Sequence, residues 1–171
     1  MGNNIIFLDI DGVLNSFSVN ENGNMELSDG ALIDASKVEL LSLLVRRTEA
    51  KLVLHSGWRF WFDGKMLPSN NEAKGLVEAL EKRNMSLFDV TPDLTNEEIR
   101  TKRKFSLVKG KEIILWLKEN PDVQNWVVLD DLDLHNDEVA RHQVRTDPFC
   151  GLTPQDIADA EKVLIGMEKV Q

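Results

Sequence analysis

The sequence contains no tyrosine, only one cysteine, and no long uninterrupted apolar run. Two of these absences exclude something. A lone Cys150 cannot form an internal disulfide, so no disulfide partner is expected, and a reducing compartment, the cytoplasm, suits the chain. A membrane-spanning helix needs about 20 mostly apolar residues. The run Ile5 to Leu8 stops at Asp9 and has no basic flank, so neither a span nor a signal peptide is expected. Myristoylation at Gly2 would need Ser or Thr where Ile6 stands. Positive charge is also scarce: 29 acidic against 20 basic side chains give a net charge of -9. That argues against a broad grip on nucleic acid or anionic membrane and leaves room for a local basic site. The missing tyrosine has no physical account.

What is present is the making of a globular core. In 171 residues, 42% are hydrophobic and 29% charged, enough for one domain, expected over 1–171. The stretch "IIFLDIDGVLNS" opens with continuous apolar residues, the mark of a strand buried on both faces over 5–9. "KLVLH" (51–55), "MSLFDV" (85–90) and "NWVVLDD" (125–131) read as further strands. Between them, Ser36 with Glu39 forms an expected capping box for a helix whose face carries Val38, Leu41, Leu44 and Val45. Ser69 with Glu72 is a second expected cap, leading a helix to about Arg83. "KGKEIILWLKEN" is a short helix stopped before Pro121. Thr153, Pro154 and Asp156 open a last helix to about Lys169. Residues 16–30 read as a loop or small hairpin around Asn22-Gly23, and 91–108 as a basic loop. Strands alternating with helices predict an α/β fold with a mainly parallel sheet covered on both faces. Ligands of such sheets bind at the carboxyl ends of the strands.

Two strands end in paired acids there. Asp9 and Asp11 lie two apart and share a face; Asp130 and Asp131 close the fourth strand. Unpaired like charges at a buried edge are costly, so a cation or a shared proton is expected. An EF-hand calcium loop does not fit. It needs Gly at its sixth position and Glu at its twelfth, whereas, counted from Asp9, Gly12 comes fourth and Asn20 twelfth. Four acids at one edge suit Mg2+, with phosphate oxygens completing its shell.

These motifs resemble the haloacid dehalogenase (HAD) superfamily. "FLDIDGVLN" matches its first motif, "KLVLHSGWR" supplies Ser56 for the second, Lys109 in "KGKEI" the third, and "VVLDD" the fourth. More narrowly, "LDIDGVLN", "SGWR", "KGKEI", "LDD" and "TDPFCGLT" resemble the HAD domain associated with Swiss-Army-knife RNA repair proteins. The resemblance implies a three-layer α/β/α sandwich without a large cap, and a Mg2+-dependent phosphatase. Asp9 would be the nucleophile and Asp11 the general acid and base. Mg2+ would be held by Asp9, the Asp11 carbonyl and Asp131, with Asp130 a ligand or a partner behind them. Ser56 and Lys109 would hold phosphoryl oxygens, with Gly57 and Arg59 nearby on the phosphate and Gly12 turning the chain. Lys111, Lys104 and Lys102 compete with Lys109 for the motif position.

The expected partner is a phosphorylated substrate, a nucleotide or a nucleic-acid end. A small-metabolite phosphatase, a phosphotransferase and a non-catalytic metal- and phosphate-binding module are the alternatives. "GWRFWF" (57–62) reads mainly as a hydrophobic plug, with Arg59 singled out as a phosphate contact. Arg100, Lys102, Arg103, Lys104, Lys109 and Lys111 form either a solvated loop or a funnel for an anionic substrate. His55, His135 and His142 share no metal spacing; Asp133 and Asp137 are candidate further acids; Cys150 is expected buried or inert.

Overall fold

The computed structural model describes residues 3–166. β1 (Asn4–Leu8) occupies the centre of a five-stranded sheet. β4 (Lys51–Leu54) and β5 (Leu87–Val90) lie on one side of it, β6 (Asn125–Asp130) and β7 (Gln143–Arg145) on the other. All pairs are parallel, with Ile5 opposite both Lys51 and Trp126. A short antiparallel hairpin, β2 (Phe17–Val19) with β3 (Met25–Leu27), follows β1 and realises the Asn22-Gly23 turn.

The strand pleat explains the layers. Ile6 and Leu8 point to one face, where they pack with Val38, Leu41 and Leu44 of α1 (Ala35–Thr48), Leu76 and Leu80 of α2 (Asn71–Glu81), and Ile157 and Leu164 of α6 (Pro154–Leu164). Ile5 and Phe7 point to the other, against Ile113 and Trp116 of α4 (Ser106–Glu119) and Val139 of α5 (Asp137–His142). Phe7 meets Trp116 and Trp126 edge-on at 5.4 and 6.0 Å, a favoured aromatic geometry. Each fully buried Leu, Ile or Phe contributes about 1.5–3 kcal/mol. The result is the three-layer α/β/α sandwich, and among the described residues no large cap domain stands between the motif strands.

Several local expectations shift. Asp34, not Ser36, caps α1, its carboxylate accepting from Ser36 N–H at 2.8 Å. Asn70, not Ser69, caps α2. Asp and Asn equal Ser as caps, so the neighbouring residue with the extended backbone takes the role. The basic stretch 91–108 is not all loop: α3 (Glu97–Thr101) forms behind an Asn96 cap, and α4 starts at Ser106. The sequence pattern predicts neither the short α5 nor β7. Thr153 and Asp156 form the reciprocal capping box of α6; the extension of that helix to Lys169 lies outside the described residues. Cys150 is exposed rather than buried, because it stands in a tight turn where its N–H and that of Gly151 both donate to Asp147 O.

Candidate active site

β1 and β6 are neighbours in space, although the chain visits β4 and β5 between them. That reversal makes a crevice at their carboxyl ends. Asp9 follows β1, Asp130 closes β6 and Asp131 follows it, and one carboxylate oxygen from each lies within 4.8 Å of the others. A cavity of about 430 Å³ opens there. Asp9, Asp11, Ser56, Gly57, Lys109 and Asp131 line it, together with Phe17, Arg103, Phe105, Ser106 and Leu132. A groove of about 410 Å³ between α1 and α2 is as large but gathers no acid cluster among the described residues, so size alone does not mark the site.

The buried charges form a chain. Lys109 Nζ donates to Asp130 Oδ2 at 2.8 Å and stands 3.3 Å from Asp9 Oδ2. His55 Nε2 reaches the same Asp130 oxygen at 2.8 Å; its Nδ1 has no partner among the described residues, so the ring serves as an Nε2–H donor. Asp130 Oδ1 accepts from Leu132 N–H. Burial alone would raise Asp130's pKa, but Lys109 and His55 outweigh it and hold the carboxyl below the usual range. Burial likewise opposes charge on Lys109, and Asp9 and Asp130 override it, keeping the ammonium protonated. Burial pushes His55 down to about 4, so it is neutral. Burial, then Asp130, push Asp9 up to about 8 and Asp131 up to about 6.

These acids fit a hard divalent cation. A cation among Asp9 and Asp131 would favour their ionised forms. Gly12, at φ 78, makes room for the Asp131 carboxylate: a Cβ there would lie 2.7 Å from Asp131 Cγ and Oδ2. Asp130 offers an oxygen to the same cluster, yet both its oxygens already accept protein donors, which suits a partner behind the ligands.

Asp11 is set by its own turn. Asn15, fully buried, accepts from Gly12 N–H at 2.9 Å and donates to Asp11 Oδ1 at 3.0 Å. Trp58 Nε1 donates to Asp11 Oδ2 at 3.3 Å. Thr146 fastens the turn from β7's end, donating to Gly12 O at 2.7 Å.

Some expectations need correction. Arg59 does not line the cavity. Its guanidinium, in a residue 4% exposed, pairs with Glu112 at 2.9 Å and donates to Ser56 O at 3.1 Å. It braces the Ser56 turn from behind because the 3-10 turn Gly57–Trp61 rotates it inward, towards the buried Glu112. Gly12 is also off the cavity wall, its contribution being the room it leaves Asp131. Lys109, not Lys111, meets the acids; Lys111 is exposed. The basic run is not a continuous funnel: Arg100 pairs with Asp93 and Lys102 with Glu98, while Arg103 alone of 100–104 lines the cavity. Trp58 and Trp61 do plug the core, in contact at 4.9 Å, whereas Phe60 is exposed under Arg59. Asp133 and Asp137 stay out of the acid cluster. His135 faces solvent near Asp133, and His142 stacks on Trp126 at 3.9 Å.

His55, Glu112 and Thr146 are site-supporting residues that the sequence patterns did not single out as such. His55 carried one usable signal: a titratable residue ending a buried strand, directly before Ser56.

No curated protein and no solved structure matches the chain. A family model, described as the HAD domain in Swiss Army Knife RNA repair proteins, matches residues 5–157, which run from β1 into α6 and span every site element above. With that match and a parallel sheet whose central strands end in clustered aspartates, the chain belongs to the HAD domain family of Swiss Army Knife RNA repair proteins.

Proposed function

We propose that the protein is a Mg2+-dependent phosphatase acting through an aspartyl-phosphate, on nucleotides or nucleic-acid ends, in the cytoplasm. The observation that carries this reading is the convergence of Asp9, Asp11, Ser56, Lys109 and Asp131 on one open cavity. Asp9, on a rigid strand end, attacks phosphorus. As the P–O bond to the leaving group breaks, Asp11 gives its proton to the departing oxygen. Asp11 then takes a proton from water, whose oxygen attacks phosphorus and frees Asp9 and inorganic phosphate. Ser56 Oγ and the Lys109 ammonium hold the non-bridging oxygens as charge develops. Asp9, Asp131 and the Asp11 carbonyl would hold Mg2+, which supplies neutralisation of the phosphoryl charge. His55 and Asp130 keep Lys109 aimed at Asp9.

The nucleic-acid side of the reading rests on the family's description and on the open mouth; no large cap among the described residues encloses the substrate. The test is turnover of p-nitrophenyl phosphate and of 3′- and 5′-phosphorylated nucleotides and oligonucleotides with Mg2+. Asp9→Asn should fall below about a hundredth of wild-type turnover with its thermal midpoint retained, and EDTA should abolish wild-type activity. Retention of roughly a tenth of the activity by Asp9→Asn, or activity that survives EDTA, removes this assignment.

A further inference from the structure

The cavity has two cations on its wall, and they are differently employed. Lys109 is buried and committed to Asp9 and Asp130. Arg103 is exposed and, among the described residues, forms no ion pair and no side-chain hydrogen bond, although its neighbours Arg100 and Lys102 both do. Its backbone adds a second observation. Arg103 closes the end of α3 at φ 52, with Lys104 N–H donating back to Ile99 O, the left-handed closing position where glycine is usual. Arg103 thus lines the cavity with a charge that, among the described residues, no protein carboxylate neutralises, which leaves it free to meet an anion. The adjoining wall is aromatic: Phe105 two residues on, and Phe17 from the hairpin.

We infer that Arg103 is a specificity-determining residue, binding a second phosphate of a nucleotide unit whose scissile phosphate lies at Asp9. The inference rests on the proposed phosphatase reading for which phosphate is cleaved, but the binding itself does not. The guanidinium fork matches a phosphate in two parallel hydrogen bonds, and Phe17 and Phe105 on the cavity wall supply aromatic surface for the base carried by the sugar between the two phosphates. On a chain of net charge -9, a free arginine at the mouth also gathers anionic substrate where the rest of the surface repels it. The second phosphate has two sources, a free nucleoside bisphosphate or the next internucleotide linkage of a strand.

The experiment compares adenosine 3′,5′-bisphosphate with 3′- and 5′-AMP, and a 5′-phosphorylated dinucleotide with 5′-AMP, in Mg2+. Wild type should prefer the member of each pair that carries two phosphates by about tenfold or more in kcat/KM, mainly through KM. Arg103→Gln should bring that ratio near one, Arg103→Lys should keep part of it, and Lys104→Gln, exposed and off the cavity wall, should keep all of it. A preference confined to the bisphosphate assigns the free nucleotide, and one confined to the dinucleotide assigns a strand end. Because each ratio is internal to one variant, a loss of folded protein does not mimic the effect. Should wild type turn over none of these compounds, the phosphatase reading fails on its own, and the same ratios are read from dissociation constants by calorimetry. A wild-type ratio near one, or an unchanged ratio in Arg103→Gln, overturns the role of Arg103.

Discussion

Two charged regions of the molecule obey different physics. The quartet His55, Asp130, Lys109 and Asp9 is buried, and its members are linked by contacts of 2.8 to 3.3 Å. The run from Asp93 to Lys104 is largely exposed, and its pairs Arg100–Asp93 and Lys102–Glu98 meet at 2.7 Å within reach of solvent. The distances are alike, yet water screens the second set and not the first. Density of charge in the sequence therefore points to the weaker region, and burial identifies the stronger one.

The contrast can be broken most forcefully at Lys109. Lys109→Met leaves Asp9 and Asp130 buried without their cation, although Asp130 keeps His55 and Leu132 N–H, and should cost about 3–5 kcal/mol in urea unfolding without metal. Activity should be lost, while added Mg2+ should restore part of the stability by binding the folded acids. A variant as stable as wild type in EDTA would show that Lys109 neutralises nothing.

A step down in size, Arg59→Met or Glu112→Leu should each cost about 3 kcal/mol, because each strands a buried charge. The double variant should lose less than the sum of the two, since it removes both charges together. Additive losses would mean that the two side chains do not act as a pair.

The smallest effect belongs to the exposed run. Lys102→Ala should change stability by less than about 0.5 kcal/mol, and high salt should erase even that. A loss of more than about 2 kcal/mol there would collapse the distinction between the regions.

The same contrast explains what could be read in advance. Asp9, Asp11, Asp130 and Asp131 were legible because an apolar run followed by acids is a local pattern, and a parallel sheet brings strand ends together. Lys109 was legible only as one of several lysines, since nothing local says that the first turns of α4 face β6. Glu112 and Arg59 are 53 residues apart and meet only through packing, so Arg59 read as a phosphate ligand rather than as a brace. β7 escaped because three residues with one buried valine carry no periodicity. The helix caps were misplaced by a residue or two because Asp34 and Asn70 do the work of serine equally well.

The central position of β1 has a consequence for assembly in time. Its partner β6 is joined to it by the Asn125–Asn4 side-chain bond across 121 residues. Closing so long a loop is entropically slow, and parallel pairing offers no local shortcut. During synthesis β1 can pair with β4, and β4 with β5, long before β6 emerges, leaving one edge of β1 bare and Asp9 without Lys109 or Asp130. The nascent chain is thus exposed to mispairing along that edge until its last third is made. The candidate site is consequently assembled only when the fold is nearly complete, because its acids and its lysine come from both ends of the chain's order of synthesis.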